Sequence, residues 1–235
     1  MPSFSGVKAV VLDIVLAEKW DDADFTPYKN AFPEEARQSR EAFEQHVQDL
    51  TARDVKVAYL KGLQGFLFQT LYASGAVTTP FYADVAPALH RWTQAPHELT
   101  LAIYSSGSIA AQKLLFSHAS TSTSTSTSTA PSPTKAAPSA DLTPLLTHYF
   151  DTTTAGPKTA PESYLRIADA LARPPHQLLF LSDSIHEVRA ARAAGWLATV
   201  VVREGNAAVV WNGHEERESV GAVRSLDEVV LRGGS

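Results

Sequence analysis

Five side chains from four separate stretches of the sequence hold the chemistry this chain offers: Asp13, Ser105, Ser106, Lys158 and Asp183. Two carboxylates supply hard oxygen ligands of the kind that a divalent cation such as Mg2+ takes. Two adjacent hydroxyls, followed by Gly107 and the start of a helix, can donate to phosphate oxygens. A lysine can neutralise the negative charge that remains. An aspartate beside a metal can also attack phosphorus and become an aspartyl phosphate. Each residue has an ordinary reading too. Asp13 and Asp183 could cap a turn or a helix. Ser105-Ser106-Gly107-Ser108 could be a plain helix start, and Lys158 a solvated surface group.

The elements around them favour the functional reading, because the set falls at strand ends. Val7–Leu12 is short, β-branched and almost wholly apolar, like a strand buried on both faces, and it ends on Asp13. Leu99–Tyr104 is a second such run and ends on Ser105. His148–Asp151 suggests a short strand, with Lys158 after it. Leu178–Leu181 is followed by Ser182-Asp183, and Leu197–Val202 by Arg203-Glu204-Gly205-Asn206. Helical periods lie between them, over Val85–Ala95, from Ser108 to Phe116, over Pro161–Leu171, and over His186–Ala194 with Gly195 as the stop. Leu226–Leu231 could be a further short helix.

Strands alternating with helices predict an α/β fold with a Rossmann-like parallel sheet. In such a sheet, ligands bind beyond the carboxyl ends of the strands. The block from Glu18 to Gly75 reads as helical throughout, with Phe43, Val47 and Leu50 on one face and Ser74-Gly75 as a terminator. The expected organisation is a core from residues 1–14 and 97–235, a helical cap inserted after the first strand over 15–96, and a disordered Ser/Thr-rich insertion over 119–140. Glu187 lies one helical turn after Asp183 and could face the site or water. Arg203 and Asn206 could line the cleft or simply form a turn.

Composition bounds the rest. With 235 residues, 44% hydrophobic and 19% charged, the chain can bury a core and spans one to two domains. Twenty basic against twenty-five acidic side chains leave a net charge of −5, which argues against a nucleic-acid partner. There is no cysteine, so disulfides, thiol catalysis and thiolate metal sites are excluded. The eight histidines show no pair at metal-ligand spacing within a helix. No run approaches the ~20 apolar residues of a membrane span, and no secretory signal is legible. The expectation is a monomeric intracellular protein without membrane attachment.

The order strand-Asp, helical insertion, strand-Ser, Lys, strand-Asp resembles the haloacid dehalogenase-like phosphohydrolases. Longer strings resemble the enolase-phosphatase family of methionine salvage within them: Leu101–Phe116, Tyr149–Thr154 with Gly156-Pro157-Lys158, Leu179–Asp183, and Leu60–Gly65 with Tyr72–Gly75 in the cap region. The resemblance runs from Val7 to Asn206, interrupted by the Ser/Thr tract. It implies a HAD-like core with a helical cap, Mg2+ as cofactor, and a small phosphorylated substrate, 2,3-diketo-5-methylthiopentyl-1-phosphate. That substrate would be enolised and then dephosphorylated to an acireductone. By the same resemblance Asp13 is the nucleophile and a metal ligand, and Asp183 the second metal ligand. Ser105 and Ser106 bind substrate, while Lys158 binds substrate and steadies the phosphoaspartate. The implied location is the cytoplasm, with the nucleus as a second compartment.

One departure bears on activity. The first family motif reads Asp-x-Glu-Gly-Thr, whereas Asp13-Ile14 is followed here by Val15-Leu16-Ala17. Val15 has no proton to give. Val15–Asp22 resembles a piece that lies well downstream in the family, so the segment with the Glu, the Gly-Thr turn and the first part of the cap is missing. Loss of a general acid typically costs about 10²–10⁴-fold in rate. A binding protein that keeps the phosphate site without turnover is therefore an alternative, as is a phosphatase of the same fold for another small phosphomonoester.

Overall fold

The computed structural model describes residues 19–55, 57–75, 77–120 and 139–231. The expected first strand, Val7–Leu12, and with it Asp13 and Val15, lies outside the described residues, as does the tract 121–138. The chain forms two compact units, Met1–Val77 and Thr78–Ser235.

The described part of the first unit is helical. It contains α1 (Thr26–Asn30), a 3-10 turn (Glu34–Arg37), α2 (Arg40–Ala52) and α3 (Ala58–Ala73). Ser39 starts α2 by accepting a hydrogen bond from the Ala42 amide at 3.1 Å. The helix then buries Phe43, Val47 and Leu50, residues spaced four and three apart. α3 answers with Leu60, Leu63 and Phe66, and Phe25 and Phe32 complete an aromatic-rich core. Phe25 meets Phe43 edge to face, with ring centroids 5.8 Å apart. Gly75, at φ +71°, follows the end of α3, as the sequence predicts.

The second unit is built on parallel strands. β2 (Ala102–Tyr104) pairs with β5 (His148–Phe150), with Ile103 opposite Tyr149. β6 (Leu179–Ser182) pairs with β7 (Leu197–Val201), and β7 with the short β8 (Ala222–Val223). A small separate sheet joins β1 (Thr79–Pro80), β3 (Ala119–Ser120) and β4 (Ser139–Ala140). Because β3 and β4 pair antiparallel, both ends of the expected Ser/Thr insertion are strand residues.

Helices α4 (Val85–Thr93), α5 (Ile109–Ser117), α6 (Pro161–Ala170), α7 (Ile185–Ala193) and α8 (His214–Val220) surround the strands. Tyr164, Ile167, Val188, Ala191 and Val200 form one core cluster. Sequence patterning assigned α4 to the helical insertion. Instead its stripe of Ala86, Ala88, Leu89 and Trp92 packs with Ala119 and Leu142, inside the second unit. Among the described residues no helix is long and apolar enough to cross a membrane.

Candidate active site

The parallel strands β2, β5 and β6 end on the residues that could do chemistry. After β2 the chain enters Ser105-Ser106-Gly107-Ser108. The Ser105 amide donates to the Phe150 carbonyl at 3.1 Å, and the Ser105 hydroxyl accepts from the Gly107 amide at 3.1 Å. Ser106 is exposed, and Ser108 caps α5. Gln112, 2% exposed, braces this loop from below. Its amide donates to the Gly107 carbonyl at 2.8 Å and to the Phe150 carbonyl at 2.9 Å.

Asp151, at the end of β5, ties the same region together. One carboxylate oxygen accepts from the Thr153 and Thr154 amides, and the other from the Ile109 amide at the start of α5. The Thr154 amide chiefly holds the Asp151 carboxyl below its ordinary range, against the upward push of burial.

Lys158 sits on the loop between β5 and α6, and four consecutive carbonyls of that loop are clamped. Arg166 donates to the Ala155 carbonyl at 2.7 Å, and Tyr104 to that of Gly156 at 2.8 Å. Ser163 donates to the Pro157 carbonyl at 2.8 Å, and Tyr164 to that of Lys158 at 2.7 Å. Burial pushes the Tyr164 phenol well up, so it remains a donor at any ordinary pH. Gly156 is required at its position. Its φ is +107°, and a Cβ there would stand 2.7 Å from Ser163 Oγ and 2.8 Å from Arg166 Nη1.

The ammonium of Lys158 meets Glu187 Oε2 at 2.6 Å, and the Ser182 hydroxyl donates to that same oxygen at 2.7 Å. Glu187 therefore links the Lys158 loop to the end of β6. Asp183 follows at once, with an exposed side chain whose Oδ2 accepts from Asn206 Nδ2 at 3.2 Å. A cleft of about 600 Å3 runs between β2 and β6. It is largely apolar, lined by residues such as Leu101, Ile103, Leu179 and Leu181, while Lys158, Ser182, Asp183, Arg203 and Asn206 supply its polar lining.

Of the sequence-predicted residues, Lys158 and Asp183 line one cleft and are linked through Glu187 and Ser182. Ser105 and Ser106 stand on the neighbouring loop, next to Tyr104, which holds Gly156. Asp13 lies outside the described residues. Asp183 suits a hard cation in kind: it is an exposed carboxylate whose Oδ1 has no partner among the described residues. Those residues form no group of three acidic, His or Cys side chains that could hold a metal by themselves. Glu187, left open by sequence between the site and water, pairs with Lys158. Gln112, Tyr104, Ser163, Tyr164 and Arg166 were not singled out by sequence. Only Gly156 beside Pro157 hinted at a constrained loop.

This architecture, with polar residues gathered at the carboxyl ends of parallel strands, is matched by a known class. The haloacid dehalogenase-like hydrolase family matches residues 8–195, and the chain belongs to it. Its relatives narrow the placement. "Enolase-phosphatase E1" of Verticillium alfalfae is 47% identical over 197 residues, covering 83% of this chain and 70% of the relative. The protein of the same name from Chaetomium globosum is also 47% identical, covering 83% of this chain and 77% of the relative. Among solved structures, the UTR4 protein of Saccharomyces cerevisiae matches with a TM-score of 0.77 and 28% identity, covering 97% of this chain and 91% of that one. CbbY of Rhodobacter sphaeroides shares the fold alone, with a TM-score of 0.51 and 15% identity over 96% of this chain and 90% of that one. Within the hydrolase family, the chain therefore stands in the enolase-phosphatase branch.

Proposed function

We propose that the chain is an Mg2+-dependent phosphatase of methionine salvage, enolising 2,3-diketo-5-methylthiopentyl-1-phosphate and dephosphorylating it to an acireductone. The observation that carries this reading is Lys158, a lysine fixed through four clamped carbonyls and Glu187 beside the strand end bearing Asp183. A phosphate monoester needs a cation held in that way. The names of the relatives support the same reading.

In this proposal Asp13 is the nucleophile. A carboxylate oxygen of Asp13 bonds to phosphorus while the bond from phosphorus to the C1 oxygen breaks, the leaving oxygen taking its proton from water because Val15 has none to give. A second water then cleaves the acyl phosphate, releasing inorganic phosphate and restoring the Asp13 carboxylate. The ammonium of Lys158 faces the negative charge of the transferring group, and Ser105 and Ser106 donate to its oxygens. Asp183 and Asp13 would hold Mg2+, which supplies Lewis-acid neutralisation of the phosphate. Asp13 enters through the strand expected over Val7–Leu12.

Val15 favours a second reading, a protein that binds the phosphate compound but turns it over poorly or not at all. One assay separates the two: phosphate release from the diketo-phosphopentane by the full chain with Mg2+, beside an Asp13→Asn control. Release that needs both Mg2+ and Asp13 establishes the enzyme, at a rate expected to be about 10²–10⁴-fold below that of a relative with the motif Glu. Tight binding without release establishes the second reading. Release from other small phosphomonoesters but not from this compound would move the chain to another substrate.

A further inference from the structure

Asp183 is one of the exposed side chains at the strand ends, and a chain of contacts reaches it from a distant part of the second unit. Its Oδ2 accepts a hydrogen bond from Asn206 Nδ2 at 3.2 Å. The Asn206 amide cannot be turned round. Its Oδ1 accepts from the Arg203 backbone amide at 2.6 Å, a group that can only donate, so Nδ2 must be the end that faces Asp183. The Asn206 backbone amide donates to the Arg203 carbonyl at 3.1 Å, which closes the turn over Gly205 at φ +85°.

The turn is anchored by side chains that are themselves largely buried. Arg203 pairs with Asp84 Oδ2, with side-chain exposures of 13% and 11%. Its other terminal nitrogen donates to the Arg224 carbonyl at 2.6 Å, and its guanidinium lies over the Tyr82 ring at 4.6 Å. The same Asp84 oxygen accepts from the Ser225 hydroxyl at 2.9 Å and from the Leu226 amide at 2.6 Å. The Tyr82 hydroxyl reaches the Glu204 carbonyl at 3.2 Å, holding the tip of the turn. An ordinary surface turn has no need of such an anchor. Here it fixes the one side chain that hydrogen-bonds the Asp183 carboxylate among the described residues.

We propose that Asn206, set in place by the Arg203–Asp84 pair, is the positioning residue for Asp183 as a cation ligand. This rests on the reading of Asp183 as a ligand given above. The chemistry suits the task. A neutral amide donor fixes the carboxylate rotamer and occupies one oxygen without cancelling the charge, whereas a lysine or arginine there would compete with the cation. Oδ1 is left to the ion.

The test is a calorimetric titration of Mg2+ into the full chain, with the melting temperature taken in EDTA for every variant. Asn206→Ala is expected to weaken Mg2+ binding by about 10–100-fold, with a lower metal-free melting temperature because the Arg203 amide loses its acceptor. Asn206→Ser, too short to reach Asp183 but able to keep the turn, is expected to weaken Mg2+ binding as much while the metal-free melting temperature stays put. Asp84→Asn is expected to weaken Mg2+ binding and lower the melting temperature together, since it loosens the anchor. Unchanged Mg2+ affinity in both Asn206 variants, with Asp183→Asn abolishing binding, overturns the positioning role and leaves the ligand reading standing. Unchanged affinity in Asp183→Asn, or no Mg2+ binding by the unaltered chain, overturns the ligand reading and the positioning role with it. Asn206 variants that lose melting temperature in EDTA but keep Mg2+ affinity reduce Asn206 to a structural residue and also overturn the proposal.

Discussion

Glu187 satisfies two donors with one oxygen, the Lys158 ammonium and the Ser182 hydroxyl. Both charged side chains of the pair are mostly shielded, 21% and 17% exposed, so the contact is worth more than a surface ion pair. Glu187→Ala leaves a half-buried lysine without its counter-charge and frees its rotamers. We expect a stability loss of about 1–3 kcal/mol in urea denaturation and a fall in kcat/KM of up to about a hundredfold. Glu187→Gln keeps an acceptor without the charge and should fall between the two. If Glu187→Ala matches the unaltered chain in both readouts, the lysine is held by its loop alone.

One scale up, the loop from Ala155 to Lys158 depends on two elements at once. Tyr104 reaches it from β2, and Ser163, Tyr164 and Arg166 reach it from α6. Tyr164→Phe preserves the packing and deletes one hydroxyl, leaving the half-buried Lys158 carbonyl without its donor. The expected cost is about 1–3 kcal/mol, read from the urea midpoint. Gly156→Ala should cost at least as much, because it meets both an unfavourable φ and the side chains of Ser163 and Arg166. A Gly156→Ala chain as stable as its parent would show that α6 can shift to make room. These elements also show what a sequence can reveal. The runs that end at Ser105 and Asp183 were readable because they are short and almost wholly apolar, although β2 and β6 are largely half-buried rather than buried on both faces. Gln112 and Tyr164 were not, since each acts on a carbonyl that only the folded chain brings near, and Asn206 was readable as a cleft or turn residue but not as the partner of Asp183. β1, β3 and β4 are two residues long and have no periodicity to detect. The alanine-rich stripe of α4 gave its amphipathic period but not the unit it would pack in.

For the molecule as a whole, paired carboxylates set the response to acid. Glu216 accepts both prongs of Arg189 as well as the Asn212 amide, joining α8 to α7. The Arg189 guanidinium first, then that amide, holds its carboxyl down to about 2 from an ordinary 4.5. Asp84 is also lowered: burial pushes it up, but Arg203, Leu226 and Ser225 together outweigh that. A carboxyl lowered by folding contributes stability that is fully present above its unfolded value and is lost as pH falls through the folded one. Urea midpoints should therefore hold above pH 4.5 and fall toward pH 2, and Glu216→Gln should flatten that fall. An equally steep fall in the variant would assign acid sensitivity to other groups. The clamped lysine loop has a consequence in time as well as in energy. A phosphate-binding loop that orders only when its ligand arrives must wait for closure on every encounter. Here folding itself has already ordered the segment around Lys158. Capture of an anion at Lys158 should then track diffusion and ionic strength, with no slow loop-ordering phase between encounter and contact.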